Sequence, residues 1–247
     1  MPTKNTSIHG EWSSRLAFIL AAAGSAVGLG NIWKFPYMAG ENGGGAFVLI
    51  YLACIAVFGL PIMMAEVMLG RRGRQSPINT MKTLSQQENS HKAWSLLGWC
   101  GVLAGVLILS YYSVIAGWSL SYVLESVSGS LQGINETQAG DLFSNLIASP
   151  LTLIFWHTLF MAMTMIVVSK GVSNGLEAAV KYLMPTLAIL ILVLIGYSIS
   201  QGHFMLGVKF MFTPDFSKIT PEVAVSALGQ ACFSIGIGNA IMITYGA

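Results

Sequence analysis

The chain has 247 residues, of which 54% are hydrophobic and only 9% charged, and its formal net charge is +2. A soluble domain carries roughly 25% charged residues, so this composition excludes one and points to an integral membrane protein. With so few cations it also excludes a nucleic-acid-binding surface.

Asking for about 20 apolar residues per bilayer crossing marks six segments, at 14–39, 45–70, 94–124, 150–169, 177–200 and 222–247. They form a single transmembrane domain over residues 1–247. The residues before the first segment are polar and carry no cleavable-signal pattern. The first segment contains Gly24-Ser-Ala-Val-Gly28-Leu-Gly30-Asn31. Each glycine costs about 1 kcal/mol relative to alanine in a helix interior. In hydrocarbon such a break is tolerated only where the freed backbone groups line a cavity or meet protein. One half-helix end then offers carbonyl oxygens, which suit a small hard cation. The other offers N–H groups, which suit a carboxylate. Asn31 could add its amide oxygen to the cation shell or bond a neighbouring helix. Lys34, one turn on, either snorkels to the interface or acts at a gate. A dinucleotide loop is excluded, since no strand precedes these glycines and no acidic residue follows in a βαβ unit.

Glu41-Asn-Gly-Gly-Gly45 is a tight turn that makes the first two segments neighbours. Near the end of the second, Glu66 is placed to cap another helix terminus or pair with a cation. The following connection, 71–92, is basic, and its polar part from Ser85 to Lys92 reads as a solvated loop. Tyr111 and Tyr112 in the third segment sit about 100° apart on a helix, so one faces the bundle and the other packs. The connection 126–149 holds Glu136 and Asp141 and the tripeptide Asn135-Glu-Thr137, a glycosylation pattern that arises often by chance. His157 and Trp156 have no partners at ligand spacing and read as packing residues. Cys54, Cys100 and Cys232 lack CxxC spacing and read as small hydrophobes.

The sixth segment, Gly229-Gln230-Ala-Cys-Phe233-Ser234-Ile-Gly236-Ile-Gly238-Asn239, repeats the device of glycines and small polar residues inside an apolar run. Two interrupted segments in one membrane chain point to the binding site of a secondary transporter. Orientation follows from the cations. With the N-terminus cytoplasmic, Lys4, Arg15, Arg71, Arg72, Arg74, Lys82, Lys92, Lys170 and Lys181 lie inside. That is nine of the twelve, leaving Lys34, Lys209 and Lys218 outside. An enzyme is disfavoured, because HExxH, GxSxG and paired membrane aspartates are missing. A channel is disfavoured too, for want of a filter or a charged pore face.

The blocks from Gly24 to Pro36, Gly40-Glu-Asn-Gly-Gly-Gly-Ala-Phe47, Gly59-Leu-Pro61 with Glu66, Tyr111-Tyr112, and Gly229-Gln230 through Thr244-Tyr245 resemble the neurotransmitter:sodium symporters, bacterial LeuT-like amino-acid transporters in particular. The resemblance covers the whole chain in order. It implies an all-α, polytopic membrane protein made of the first five-helix repeat of an inverted-repeat fold plus a discontinuous sixth helix. It also implies sodium-coupled amino-acid uptake by alternating access, not enzymatic activity, in the cell inner (plasma) membrane. On that resemblance Gly24 and Val27 give carbonyls to one sodium ion. Ala26, Asn31 and Ser234 hold a second, which also touches the substrate. Amides around Leu29 and Gly30 hold the substrate carboxylate, and Tyr112 donates its hydroxyl. Phe233 is an aromatic lid, and Ile108, Gly236, Ile237 and Asn239 form the side-chain pocket. Tyr51, Gln230 and Ser234 match positions that shape a chloride site in chloride-dependent members.

The sequence departs from that pattern in three places. Lys34 stands where an outer-gate arginine is common, replacing a bidentate fork with a point charge. Gly236 and Asn239 stand for a serine and an aromatic, which enlarges and polarises the pocket, argues against leucine and admits bulky side chains. The chain also ends where the second repeat opens, which reads as an N-terminal fragment or as a half-transporter needing a second chain for the missing helices.

Overall fold

The computed structural model describes residues 12–202 and 204–247. Lys4 and the polar stretch 1–11, used above for orientation and targeting, lie outside the described residues. The chain folds into helices throughout. The first apolar segment is α1 (Arg15–Ala26), a break at 27–29, a π-helical turn (Gly30–Lys34) and α2 (Phe35–Glu41). Ser14 caps α1 by accepting from Ala17 N–H, as a β-region serine does at an N-cap. After the glycine turn come α3 (Gly45–Cys54), a second π-helical stretch (Ile55–Gly59) and α4 (Leu60–Gly73). Then follow α5 (Pro77–Gln87), the long α6 (Ser95–Ser128), α7 (Glu136–Ile147) and α8 (Pro150–Ser169). A third π-helical stretch (Val172–Glu177) leads into α9 (Ala178–Ser200), and α10 (Phe204–Phe212) follows. The sixth segment is α11 (Pro221–Ile235) and α12 (Ile241–Gly246).

Among the described residues, four helical stretches are long and apolar enough to cross a bilayer: Gly45–Gly73, Lys92–Ser128, Pro150–Ser169 and Asn174–Ser200. A fifth is the bent pair Arg15–Ala26 and Gly30–Glu41, whose halves meet at 53°. The sixth segment is divided into pieces of 15 and 6 residues, each shorter than the ~20 residues of a span.

Three connections between the apolar segments are partly helical. α5 covers half of the 71–92 connection and runs to Gln87, into the stretch from Ser85 read as a solvated loop, because Thr80, Met81 and Leu84 form a buried stripe one turn apart. α7 starts at a capping box in which Asn135 accepts from Gln138 N–H while the Gln138 side chain accepts from Asn135 N–H. The supposed glycosylation tripeptide is thus a helix start. α10 fills part of 201–221.

α6 is the beam on which the rest rests. Its 34 residues extend about 51 Å at the ordinary helical rise, more than the thickness of a bilayer core. Glycines let its neighbours approach closely. A β-carbon on Gly98 would stand 2.7 Å from Ile78 Cα of α5, and one on Gly117 would stand 2.9 Å from His157 N of α8. The same small-residue packing joins α4 to α12, where a β-carbon on Gly70 would lie 2.1 Å from the Ile243 carbonyl oxygen. The apolar core gathers Ala39, Phe47 and Ala227 with Phe35 and Tyr51 around them, tying α2, α3 and α11 together. Phe35 stacks on Tyr51 with centroids 4.6 Å apart.

The Gly70 contact is with backbone and cannot move aside, so Gly70→Ala should overpack the α4–α12 joint and cost about 1–3 kcal/mol. Gly140→Ala, where nothing lies within 4 Å, should leave stability unchanged or slightly raised. Thermal unfolding of the two variants in detergent, followed by tryptophan fluorescence, checks the pair.

Candidate functional site

Both interrupted segments bring their breaks to the same face of α6. In the first, the helical ladder stops at Ala26, and Val27 turns to extended backbone with φ −90° and ψ 113°. Beyond it, Asn31 and Ile32 N–H both donate to the Gly28 carbonyl as the chain re-enters a helix. No described residue donates to the carbonyl oxygens of Gly24, Ser25 or Val27, and none accepts from Gly28 or Gly30 N–H. These are the bare half-helix ends expected from the glycines. In the sixth segment, α11 ends with Gly236 left-handed at φ 69°, and Ile237 N–H reaches back to the Cys232 carbonyl, a Schellman-type end. Gly238 at φ 81° and Ala240 at φ 61° continue the reversal before α12 begins.

Two glycines of the first break are required by close approaches. A β-carbon on Gly28 would fall 2.6 Å from the Tyr112 hydroxyl, and one on Gly30 would fall 2.4 Å from the Phe233 ring. Tyr112 is the tyrosine that faces the bundle, accepting from Leu29 N–H at 2.8 Å. Tyr111 points outward and is about half exposed. In this arrangement Leu29 N–H is already engaged, and Gly30 N–H is the free amide of the pair.

A chain of polar contacts ties one break to the other. Asn31 Nδ2 donates to the Ala26 carbonyl at 2.6 Å, Ser234 Oγ donates to Asn31 Oδ1, and Gln230 Nε2 donates to the Gly30 carbonyl at 3.0 Å. The Ala26 carbonyl, Asn31 Oδ1 and Ser234 Oγ therefore lie together. All are neutral oxygens, and no group of three or more His, Cys, Asp or Glu side chains is assembled among the described residues. Such a set fits a monovalent hard cation better than a divalent or transition metal, which takes carboxylates, imidazoles or thiolates. A cation there carries a charge the protein leaves uncompensated, and a carboxylate at the neighbouring N–H end would neutralise it.

The other residues marked from sequence fall as follows. Gly24, Ala26, Val27, Gly30, Ile108, Tyr112, Phe233, Gly236, Ile237 and Asn239 all line one cleft of ≈ 490 Å³ between the two breaks. Lys34 lies outside it, in a second cleft of ≈ 690 Å³ on the other side of Phe233. Tyr112 and Phe233, with ring centroids 6.5 Å apart, belong to the walls of both. Tyr51 packs on Phe35, and among the described residues no hydrogen bond joins it to Gln230 or Ser234, though these two bond each other at 3.4 Å. Sequence reading did not single out Ser25 or Cys232, which line the same cleft. It also left the role of Glu66 open: this buried carboxylate accepts from Gly238 N–H at 2.8 Å, while its Oε2 has no partner among the described residues. Nor did it foresee that Trp12 Nε1 donates to the Tyr245 carbonyl, or that Ser13 donates to the Glu177 carboxylate. No periodicity signals contacts so distant in sequence.

Comparison with known proteins gives the same picture. Over 95% of its length the chain is 44% identical to the uncharacterized sodium-dependent transporter YhdH of Bacillus subtilis, of which it covers 51%. It is 34% identical to the uncharacterized sodium-dependent transporter MJ1319 of Methanocaldococcus jannaschii, covering 48% of that protein. The crystal structure of MhsT in complex with L-phenylalanine superposes with a TM-score of 0.86 at 44% identity, over 98% of this chain and 54% of that one. The chain thus spans about half the length of these relatives. Its residues 9–139 and 143–247 match the model of the sodium:neurotransmitter symporter family, and the chain belongs to that family.

Proposed function

We propose that the chain carries the ion- and carboxylate-gripping half of a sodium-coupled amino-acid symporter. The observation that carries this reading is the pair of broken segments, whose bare main-chain ends meet across the Ala26–Asn31–Ser234 contacts beside the Tyr112 hydroxyl. Sodium takes the Ala26 carbonyl, Asn31 Oδ1 and Ser234 Oγ at one position. The carbonyls of Gly24 and Val27 serve a second position on the α1 side. The substrate carboxylate is held by Gly30 N–H and the Tyr112 hydroxyl, which donates its proton to the substrate while its oxygen still accepts from Leu29 N–H. Phe233 closes the cleft on the side of Lys34, the outer gate, and Ile108, Gly236, Ile237 and Asn239 receive the side chain. A chloride role for Gln230, Ser234 and Tyr51 draws its support from relatives such as the sodium- and chloride-dependent glycine transporter 2 of Xenopus laevis.

The substrate class is supported by MhsT, solved with L-phenylalanine, and by the sodium-dependent neutral amino acid transporter B(0)AT2 of Bos taurus, 27% identical over 95% of this chain. The remaining ion ligands come from the region matching the other half of the relatives, whether in the same polypeptide or in a second chain. The protein sits in the plasma membrane with its N-terminus cytoplasmic, the orientation favoured by the cations at 71–92, 170 and 181.

Binding of radiolabelled neutral amino acids to the purified full-length protein, with sodium exchanged for potassium, tests the reading. Asn31→Ala removes an oxygen from the cation shell and should lower sodium-dependent binding by about tenfold or more. A bulkier residue at Gly28, where the Tyr112 hydroxyl already stands in the way of a β-carbon, should do the same. Unchanged sodium-dependent binding in both variants would remove the site from this place. A second expectation concerns Glu66. Glu66→Ala leaves the Gly238 N–H unpaired and should weaken binding by about tenfold, whereas Glu66→Gln keeps an acceptor and should retain most of it. Equal affinities in the two variants would show that this contact does not shape the sixth-segment break.

A further inference from the structure

Among the described residues, the cleft between the breaks is lined by no Asp, Glu, Lys, Arg or His. One side chain in it is nonetheless set up to read the substrate. Asn239 Oδ1 accepts from Ile241 N–H at 3.2 Å, closing an Asx turn just ahead of α12. That bond fixes which end of the amide looks elsewhere. No described residue accepts from Asn239 Nδ2, so both its protons stay available. Where it points is shown by Gly236: an ideal β-carbon there meets nothing within 4 Å except Asn239 Nδ2, at 3.7 Å. The donor therefore borders the room that the missing Gly236 side chain leaves in the cleft wall. The backbone beneath it is held in place, since β-carbons on Gly101 and Gly105 of α6 would come 3.4 Å from Asn239 C and 4.0 Å from its carbonyl oxygen. A one-methyl increase at Gly101 would push this segment away, because its β-carbon would also lie 2.6 Å from Ala240 Cβ.

We propose that Asn239 selects neutral amino acids whose side chain ends in a hydrogen-bond acceptor, of the carboxamide type that glutamine carries. The inference rests on the reading of this cleft as the amino-acid site. An apolar side chain filling the same room would cover Nδ2 without pairing it, which is worth about tenfold in affinity. A site built to hydrogen-bond its substrate discriminates against the analogue lacking that group more sharply than an apolar pocket discriminates by size. A carboxylate side chain is disfavoured because, among the described residues, no Lys, Arg or His lines the cleft to offset its desolvation, and the sodium is already paired with the substrate's α-carboxylate. An ammonium side chain meets a donor facing a donor. The room at Gly236 suits a chain that reaches past Ile108 and Ile237.

The experiment measures sodium-dependent displacement of radiolabelled L-glutamine from the full-length protein in proteoliposomes. The competitors are L-norleucine, L-phenylalanine and the γ-methyl ester of L-glutamate, whose side-chain end is an acceptor alone. The expected order places glutamine and the ester about tenfold ahead of norleucine. Asn239→Leu should invert that order. Because leucine also removes the Asx turn ahead of α12, Asn239→Asp serves as the second variant. It keeps an oxygen for Ile241 N–H and replaces the donor with an acceptor. The ester, which has no proton to give, should then fall about tenfold relative to glutamine, whose amide can turn its NH₂ toward the carboxylate. Norleucine or phenylalanine outcompeting glutamine in the unmodified protein would overturn the inference and leave the site reading standing, as would an ester-to-glutamine ratio untouched by Asn239→Asp. Sodium-independent binding, or no binding of any amino acid, would overturn the site reading and this inference with it.

Discussion

In hydrocarbon a backbone N–H or C=O without a partner costs several kcal/mol, and this constraint organises the whole chain. Helices satisfy it automatically, so an interruption is tolerated only where something else answers the exposed groups. Here two interruptions are placed face to face and answer one another in part. Gln230 from the sixth segment reaches the Gly30 carbonyl of the first, Asn31 folds back on the Ala26 carbonyl, and Ser234 reaches Asn31. What remains unanswered is one set of carbonyls and one set of amides, which is the complement of a cation and a carboxylate.

The supports of this arrangement are mostly glycines, and they act by what they leave out. Gly28 makes room for a hydroxyl, Gly30 for a ring, and Gly101 for the turn at Ala240. Each lets a backbone or an aromatic come closer than alanine would permit. In a membrane, where apolar burial gives no preference for protein over lipid, such close packing is a main source of cohesion between helices. Glu66 belongs to the same logic. Its carboxylate comes from the neighbouring α4, and it answers the Gly238 amide that the sixth-segment break exposes.

Most of the membrane-spanning framework was legible in the sequence because long apolar runs and glycine-rich interruptions are strong local signals. Segment 150–169 coincides with α8, and the break in the first segment falls at 27–29, among the glycines that announced it. The helices outside the membrane were not read, and the reason is specific. α5 shows amphipathic spacing within a basic, polar connection, and α7 is announced by the Asn135 and Gln138 capping box, a short signal overlapping a tripeptide that reads as a chance pattern. The fine geometry of the site was legible only through family resemblance. That Tyr112 rather than Tyr111 faces the break, or that Glu66 meets Gly238 across 172 positions, depends on how α6 and α4 are rotated in the bundle. No local pattern encodes that rotation.

Phe233 stands between two clefts. Tyr112 and Phe233 belong to both walls, and each stands against a glycine of the first break. A small rotation of the half-helix after that break, pivoting at the extended Val27, would change the spacing of both rings from Gly28 and Gly30 without unfolding either span. The break proposed to hold the ion is thus also the place where the first span departs from a straight helix, its halves meeting at 53°. Because no Asp, Glu, Lys, Arg or His among the described residues lines the cleft, a cation and a carboxylate bound there under the proposed reading would each bind better when the other is present, and by linkage that coupling would be the same in both directions. Under the proposed reading, one set of main-chain dipoles would serve both to pair ion with substrate and to mark where the span can bend.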